Sequence, residues 1–262
     1  MAVGKEIESR GHVLGFKEEI SLAAASKGED FFTWFDTAQD KDSAFVRGSW
    51  DFLYHIAHPS IRYISKPEEK VALEIGYGGG RILAAASRHF KTVIGVDVHD
   101  QRVKVEDEMK KRGIYNTRLL QTGGMDIPVE DGSVDFAYSF IVFQHLEKIE
   151  VFRKYIREIY RVLKTDGIAV LYFGRKAYFS ENTSCRMGYI LDCLLERVWL
   201  PKGFQEIQSR VNDINLLISH TYAKSFVREV GFEVLKRLVS RKKVPDGVKL
   251  LGSQNGLVLR KK

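Results

Sequence analysis

Three glycines, Gly76, Gly78 and Gly80, punctuate the run Ala72-Leu73-Glu74-Ile75-Gly76-Tyr77-Gly78-Gly79-Gly80-Arg81. An apolar stretch precedes them and an alanine-rich one follows, so the segment reads as a strand, a turn and the start of a helix. Missing β-carbons let a ligand approach the backbone, and the free amides of a helix N-terminus face it. A second apolar run ends Val96-Asp97-Val98, with Asp97 21 residues after Gly76. A carboxylate at that spacing can accept hydrogen bonds from both hydroxyls of an adenosine ribose. The alternative is a tight turn beside a surface aspartate.

Glu74 narrows the ligand. A fixed negative charge two residues before the first glycine is a poor neighbour for phosphate and a good one for an ammonium group. That favours S-adenosylmethionine, whose methionine end carries an amine, over a dinucleotide held by its pyrophosphate.

These residues need a frame. From Lys70 onward, β-branched runs alternate with helical patterns, which predicts a parallel sheet covered on both faces. The strands are expected at Val71–Ile75, Thr92–Val96, Thr117–Gln121, Val134–Ser139 and Ile168–Phe173, with Phe232–Val239 and Gly256–Arg260 as a final hairpin, seven in all. Helices are expected over Arg81–Phe90, from an Asp100 cap to about Gly113, over Ile149–Leu163, and around Phe226, stopped at Gly231. Residues 1–69 form an aromatic, partly helical segment that includes Phe31, Phe32, Trp34 and Phe35. Residues 175–220 are too long for a plain connection and read as a helical insertion. Both are expected to form a lid at the carboxyl ends of the strands, where α/β sheets bind ligands.

The sequence resembles the class I S-adenosylmethionine-dependent methyltransferases, small-molecule type. The matching motifs are LEIGYGGGR at 73–81, VIGVD at 93–97, DIPVEDGSVDFAYS at 126–139 and RVLKTDGIAVL at 161–171. The resemblance covers residues 70–174 well. It implies an α/β, Rossmann-like, doubly wound, seven-stranded mostly parallel sheet, here with the N-terminal helical segment (1–69) and the lid insertion within a 70–262 domain. It also implies that Gly76, Gly78 and Gly80 line the cofactor, that Glu74 faces its amine and that Asp97 holds the ribose, with Val98 on the adenine. Family members usually carry an aspartate near the third strand for the adenine amine; Gly123 stands there. The contact then falls to the backbone of Gly124 and Met125 or to the Asp126 carboxylate, which could equally cap a turn. Ser139 and Phe140 would lie near the reactive methyl. Arg81 or Arg47 would meet the methionine carboxylate, unless they are surface arginines.

Methyl transfer to a hydroxyl also needs a base. His145, just after the fourth strand, is the candidate; the alternative is a structural histidine capping the next helix. Tyr172, Tyr178 and His220 are weaker candidates. Against the family's subtypes, Tyr138-Ser139-Phe140-Ile141 lacks the Asp/Asn-Pro-Pro-aromatic turn of base-amine methylation. Neither Cys185 nor Cys193 fits cytosine-carbon chemistry, and Ser139 occupies the position of an acidic metal ligand, so no metal is expected. The expected reaction is methylation of a small molecule, at an oxygen of a natural product or sugar. The alternatives are an RNA or protein methyltransferase, or a binding module that has lost catalysis.

Composition sets bounds. With 262 residues, 44% hydrophobic content and 16 Phe, 11 Tyr and 3 Trp, the chain is globular rather than disordered. The charge-free run from Phe136 to Leu146 is too short for a membrane span. No apolar signal core opens the sequence, and two cysteines cannot build a disulfide framework, so a cytoplasmic protein without a membrane partner is expected. Net charge is +7, with acidic Glu6, Glu8, Glu29 and Asp30 early and basic Lys236, Arg237, Arg241, Lys242, Lys243, Arg260, Lys261 and Lys262 late. This hints at a polyanion, but a solvated surface is the favoured reading over a nucleic-acid partner.

Overall fold

The computed structural model describes residues 14–26, 31–35, 38–181, 183–207, 209–242 and 250–262. Glu6, Glu8, Glu29, Asp30 and Lys243, singled out above for charge, lie outside them. Five strands form the parallel body: β1 (Val71–Ile75), β2 (Thr92–Asp97), β3 (Thr117–Gln121), β4 (Val134–Ser139) and β5 (Leu163–Gly174), in the order β3-β2-β1-β4-β5. The inner strands β1, β2 and β4 are buried on both faces, as their apolar runs require, whereas β3 at the edge buries only Leu119. Two further short strands, β6 (Phe204–Glu206) and β7 (Leu216–Ile218), pair antiparallel within the insertion and meet β5 at Gly174. The last pair, β8 (Phe232–Lys242) and β9 (Leu250–Lys261), is the expected antiparallel hairpin, and β9 runs antiparallel along β5. The sheet thus has nine strands, two more than the periodicity marked, because three-residue strands leave no repeat to read.

The helices are α1 (Leu14–Ser26), α2 (Phe31–Trp34), α3 (Lys41–Asp51), α4 (His58–Ser60), α5 (Arg81–Ala86), α6 (Arg102–Lys111), α7 (Ile149–Val162), α8 (Arg186–Trp199) and α9 (His220–Val230). Asp40 caps α3 by accepting from the Ser43 amide at 2.7 Å. Asp100 does not cap α6; the Gln101 amide instead donates to His99 Nδ1 at 3.1 Å. Nor does α7 carry a cap of its own. Its Ile149 amide donates to Glu206 of β6 at 2.8 Å, a contact made from 57 residues away.

Two apolar layers cover the sheet. One joins Leu73, Ile75 and Leu171 to Phe152 and Ile159 of α7 and Phe226 of α9. The other joins Ala72, Phe136 and Tyr138 to Leu83 of α5 and to Phe31, Phe45 and Phe52 of the N-terminal segment. Phe31, Phe32, Phe45, Phe52 and Ile56 therefore belong to the central core. Gly48 shows how closely: a β-carbon there would collide with the Arg81 carbonyl. Cys185 and Cys193 are free thiols on exposed positions of the insertion.

Candidate functional site

At the carboxyl ends of β1, β2 and β4 lies a cavity of about 380 Å³. The glycine turn forms its floor. Gly76 (φ +77°) and Gly78 (φ +50°) occupy the left-handed region, where a side chain is strained. A β-carbon on Gly76 would run into Val142, and one on Gly78 would sit 2.9 Å from the Phe35 ring. Gly80 serves a different purpose. Its missing β-carbon admits Met109 and Val105 of α6, so it packs the helix and does not line the cavity.

Glu74 is buried at one end. The β1–β4 register sets it beside Tyr138, whose hydroxyl donates to Oε2 at 2.9 Å. Burial pushes the Glu74 carboxyl up to about 8, against the opposing pulls of the Tyr138 hydroxyl and the Arg81 guanidinium. Arg81, also buried, donates from Nη1 to Asp51 Oδ2 at 2.6 Å. Its cavity-facing charge is thus balanced from behind by α3.

Asp97 is buried at the other end. It accepts from the Gly78 amide and from the Val98 amide, each at 2.7 Å. A carboxylate has lone pairs for further donors, so two hydroxyls can still be received. His99, fully buried, bonds through Nε2 to the Gly78 carbonyl at 3.1 Å and braces the same turn. Among the described residues, the buried Tyr77 hydroxyl has no hydrogen-bond partner, although Tyr77 lines the cavity.

His145 stands at the rim. Its Nδ1 lies 2.8 Å from the Asp213 carbonyl, and Gln144 Nε2 lies 3.1 Å from its Nε2. Gln254 Nε2 donates to Gln144 Oε1 at 2.9 Å. The Asp213 carbonyl can only accept, which assigns the proton to Nδ1 and leaves Nε2 the acceptor, its lone pair filled by the Gln144 amide. Burial lowers the imidazole below its ordinary range, so the ring is neutral at pH 7.

The roof comes from the segments without motifs. Phe16 and Ile20 of α1, Trp34 and Phe35 beside α2, and Asn212 of the insertion all line the cavity. Phe16 packs on His145 with ring centroids 5.2 Å apart, and Asn212 donates to Glu19 of α1 at 3.4 Å. Ile141, also lining, has φ +65°, a strained backbone for a β-branched residue.

Of the residues expected to meet the cofactor, Glu74, Gly76, Gly78, Arg81, Asp97, Val98 and Phe140 line this cavity, as does His145. Ser139 does not; it is buried, and its hydroxyl donates to the Ile75 carbonyl at 3.1 Å. Gly124, Met125 and Asp126 also stand outside the lining. Asp126 Oδ1 accepts from Thr122 Oγ1 at 3.0 Å and from the Gly123 amide at 3.2 Å, which makes it a turn cap. Arg47 is exposed on α3. Tyr172 donates to the His55 carbonyl, Tyr178 is exposed, and His220 is buried between the Leu238 and Gly256 carbonyls and pushed down to about 4 by that burial. Tyr77, Gln144, Ile141 and Asn212 were not foreseen. Only Tyr77, set inside the glycine turn, carried a sequence signal.

The arrangement is a cavity at the strand ends of an α/β sheet, floored by a glycine turn, with a buried acid at each end. Residues 73–171 match the model of the methyltransferase domain family, and this stretch is a class I S-adenosylmethionine-dependent methyltransferase domain. The chain is 33% identical over 100 residues to the uncharacterized methyltransferase YcgJ of Bacillus subtilis, covering 38% of each protein. It is 34% identical over 110 residues to 24-methylenesterol C-methyltransferase 2 of Arabidopsis thaliana, covering 41% of this chain and 29% of that one. The chain therefore spans well under half the length of these relatives. A solved S-adenosylmethionine-dependent methyltransferase from Methanosarcina mazei superposes with TM-score 0.54 at 19% identity, over 79% of this chain and 97% of that one. That likeness concerns the fold. Among the described residues, no group of three His, Cys, Asp or Glu side chains could hold a metal ion, and no helix is long and apolar enough to cross a membrane.

Proposed function

We propose that the chain transfers the methyl group of S-adenosylmethionine to an oxygen of a small molecule, a natural product or a sugar. The carrying observation is that the glycine turn, Glu74, Asp97 and His145 converge on one cavity. The residues fit the cofactor. Glu74 and Arg81 suit the amine and carboxylate of its amino-acid end, Asp97 retains acceptor capacity for the ribose, and Val98 offers an apolar face. When bound, the cofactor supplies a methyl group activated by its sulfonium. Everything else is asked of this chain. The turn and the two acids hold the donor in line with the acceptor, an alignment that can contribute ~7–11 kcal/mol. The aromatic roof excludes water. His145 would receive the acceptor's hydroxyl proton at Nε2 once that hydroxyl displaces the Gln144 amide, which fills the lone pair here; the acceptor oxygen would take the methyl group, and the electron pair of the methyl–sulfur bond would return to sulfur.

A small acceptor suits a cavity roofed by Phe16, Trp34 and Phe35, whose lining holds a single arginine already paired to Asp51. The RNA or protein reading draws less support. Arg260 pairs with Glu233 at 3.6 Å, and Lys261 Nζ donates to the Arg161 and Leu163 carbonyls, so part of the basic C-terminus braces the sheet. The test is calorimetric titration with S-adenosylhomocysteine, followed by methyl transfer from labelled cofactor to a panel of hydroxylated small molecules and to RNA. Failure to bind would end the proposal. Binding with transfer only to RNA would replace the acceptor.

A further inference from the structure

Helix α8 sits on the molecule inside out. Met187 is followed by Ile190 and Leu191 at three and four residues, Leu194 by Val198 at four, and Leu191 by Leu194 at three, so the five share one face. That face is turned to solvent: Leu194 is 68% exposed and Val198 71%. The opposite face, Gly188, Asp192 and Glu196, is buried. Asp192 accepts from the amides of Tyr178, Phe179 and Ser180, each at 3.0 Å. Glu196 Oε1 accepts from the His220 amide at 3.1 Å and from Asn255 Nδ2 at 3.3 Å. Polar bonds therefore seat the helix, while five large apolar side chains face water. A contiguous apolar stripe of that kind marks a docking surface.

The charges say what docks. Both carboxylates of α8 are spent inward, so its outward charges are Arg186 and Arg197, with Lys202 exposed just beyond. Tyr178 and Phe179 pack against Trp199, the last residue of the helix, with ring centroids 5.6 and 6.3 Å away. Apolar residues flanked by arginines, with Trp and Tyr at the margin, match a helix lying in the plane of a lipid interface. At 14 residues the helix is too short to span a bilayer, but lying on one needs no such length. A second copy fits poorly. An antiparallel two-fold pairing of α8 would set Arg186 of each copy against Arg197 of the other, with no outward acid on the helix to offset the repulsion.

We propose that α8 docks the protein on the surface of an anionic lipid bilayer, its apolar stripe in the acyl boundary and its arginines among the headgroups. This revises the expectation of no membrane partner. The test is co-sedimentation of the full chain with phosphatidylcholine vesicles prepared with and without phosphatidylglycerol. Wild type should pellet with the anionic vesicles. The exposed pair L191E/L194E should lose this binding by roughly tenfold or more, with an unchanged far-ultraviolet spectrum. R186E/R197E should weaken it by about fivefold per arginine, independently of the stripe. No pelleting with anionic vesicles, or pelleting unaffected by both variants, overturns the proposal. So does a dimer in sedimentation equilibrium that L191E/L194E dissociates, since the stripe would then belong to a second copy.

Discussion

The Tyr138 hydroxyl donates to the Glu74 carboxyl at 2.9 Å across paired strands, in a spot nearly closed to solvent. One neutral donor does not offset that burial, so the carboxyl titrates at about 8, against 4.5 for the ordinary group. Between those values the folded protein holds a proton that the unfolded chain has released. Stability contributed by this site is therefore full below pH ~4.5 and is lost as pH rises to ~8. Glu74→Gln should abolish that decline, making the variant ~2–4 kcal/mol more stable than wild type at pH 8.5 relative to their difference at pH 5. Urea unfolding at the two pH values measures it; parallel curves would refute the assignment.

The same titration governs an ammonium ligand. The charged form of Glu74 attracts it and the neutral form does not, so S-adenosylhomocysteine affinity should rise with pH up to about 8, by at most about tenfold per unit. Calorimetry should find this slope in wild type and a flat profile in Glu74→Gln.

Asp97→Ala removes the acceptor of the Gly78 amide and, with it, the acceptor proposed for the ribose diol. Cofactor affinity should fall by roughly 1.5–3 kcal/mol. An unchanged dissociation constant would mean that the nucleoside lies elsewhere.

His145→Ala should slow turnover and leave cofactor affinity intact. Because burial lowers the imidazole, the wild-type rate should hold as pH falls past the ordinary histidine value and drop only below it.

Gly76→Ala tests the turn. At φ +77°, with Val142 in the way of a β-carbon, the variant should lose ~1–3 kcal/mol in urea denaturation. A neutral result would mean that the turn can adopt another conformation.

The sequence carried the turn, Asp97 and the five parallel strands because each has a local cause. Glycine marks positive φ, and a strand buried on both faces reads as an uninterrupted apolar run. Gly80 and Ser139 each lie in a matching motif yet serve packing, since the direction a residue takes at a strand end depends on contacts that spacing alone does not encode. The roof was legible only as an aromatic segment. Its seat over His145 depends on Phe16 and Asn212, which lie 196 residues apart in the chain. The cap of α7 by Glu206 escaped notice for the same reason: the helix start lacks a local signal, and the bond closes only in three dimensions.

The collision that a β-carbon on Gly48 would have with Arg81 has a practical bearing. A fragment trimmed to begin at Lys70 would keep every recognisable motif and still fail. Stripped of Phe31, Phe45, Phe52 and Ile56, one face of its sheet would lose much of its cover, and such a fragment should precipitate. The part of the chain that looks least informative on paper is what keeps the rest in solution.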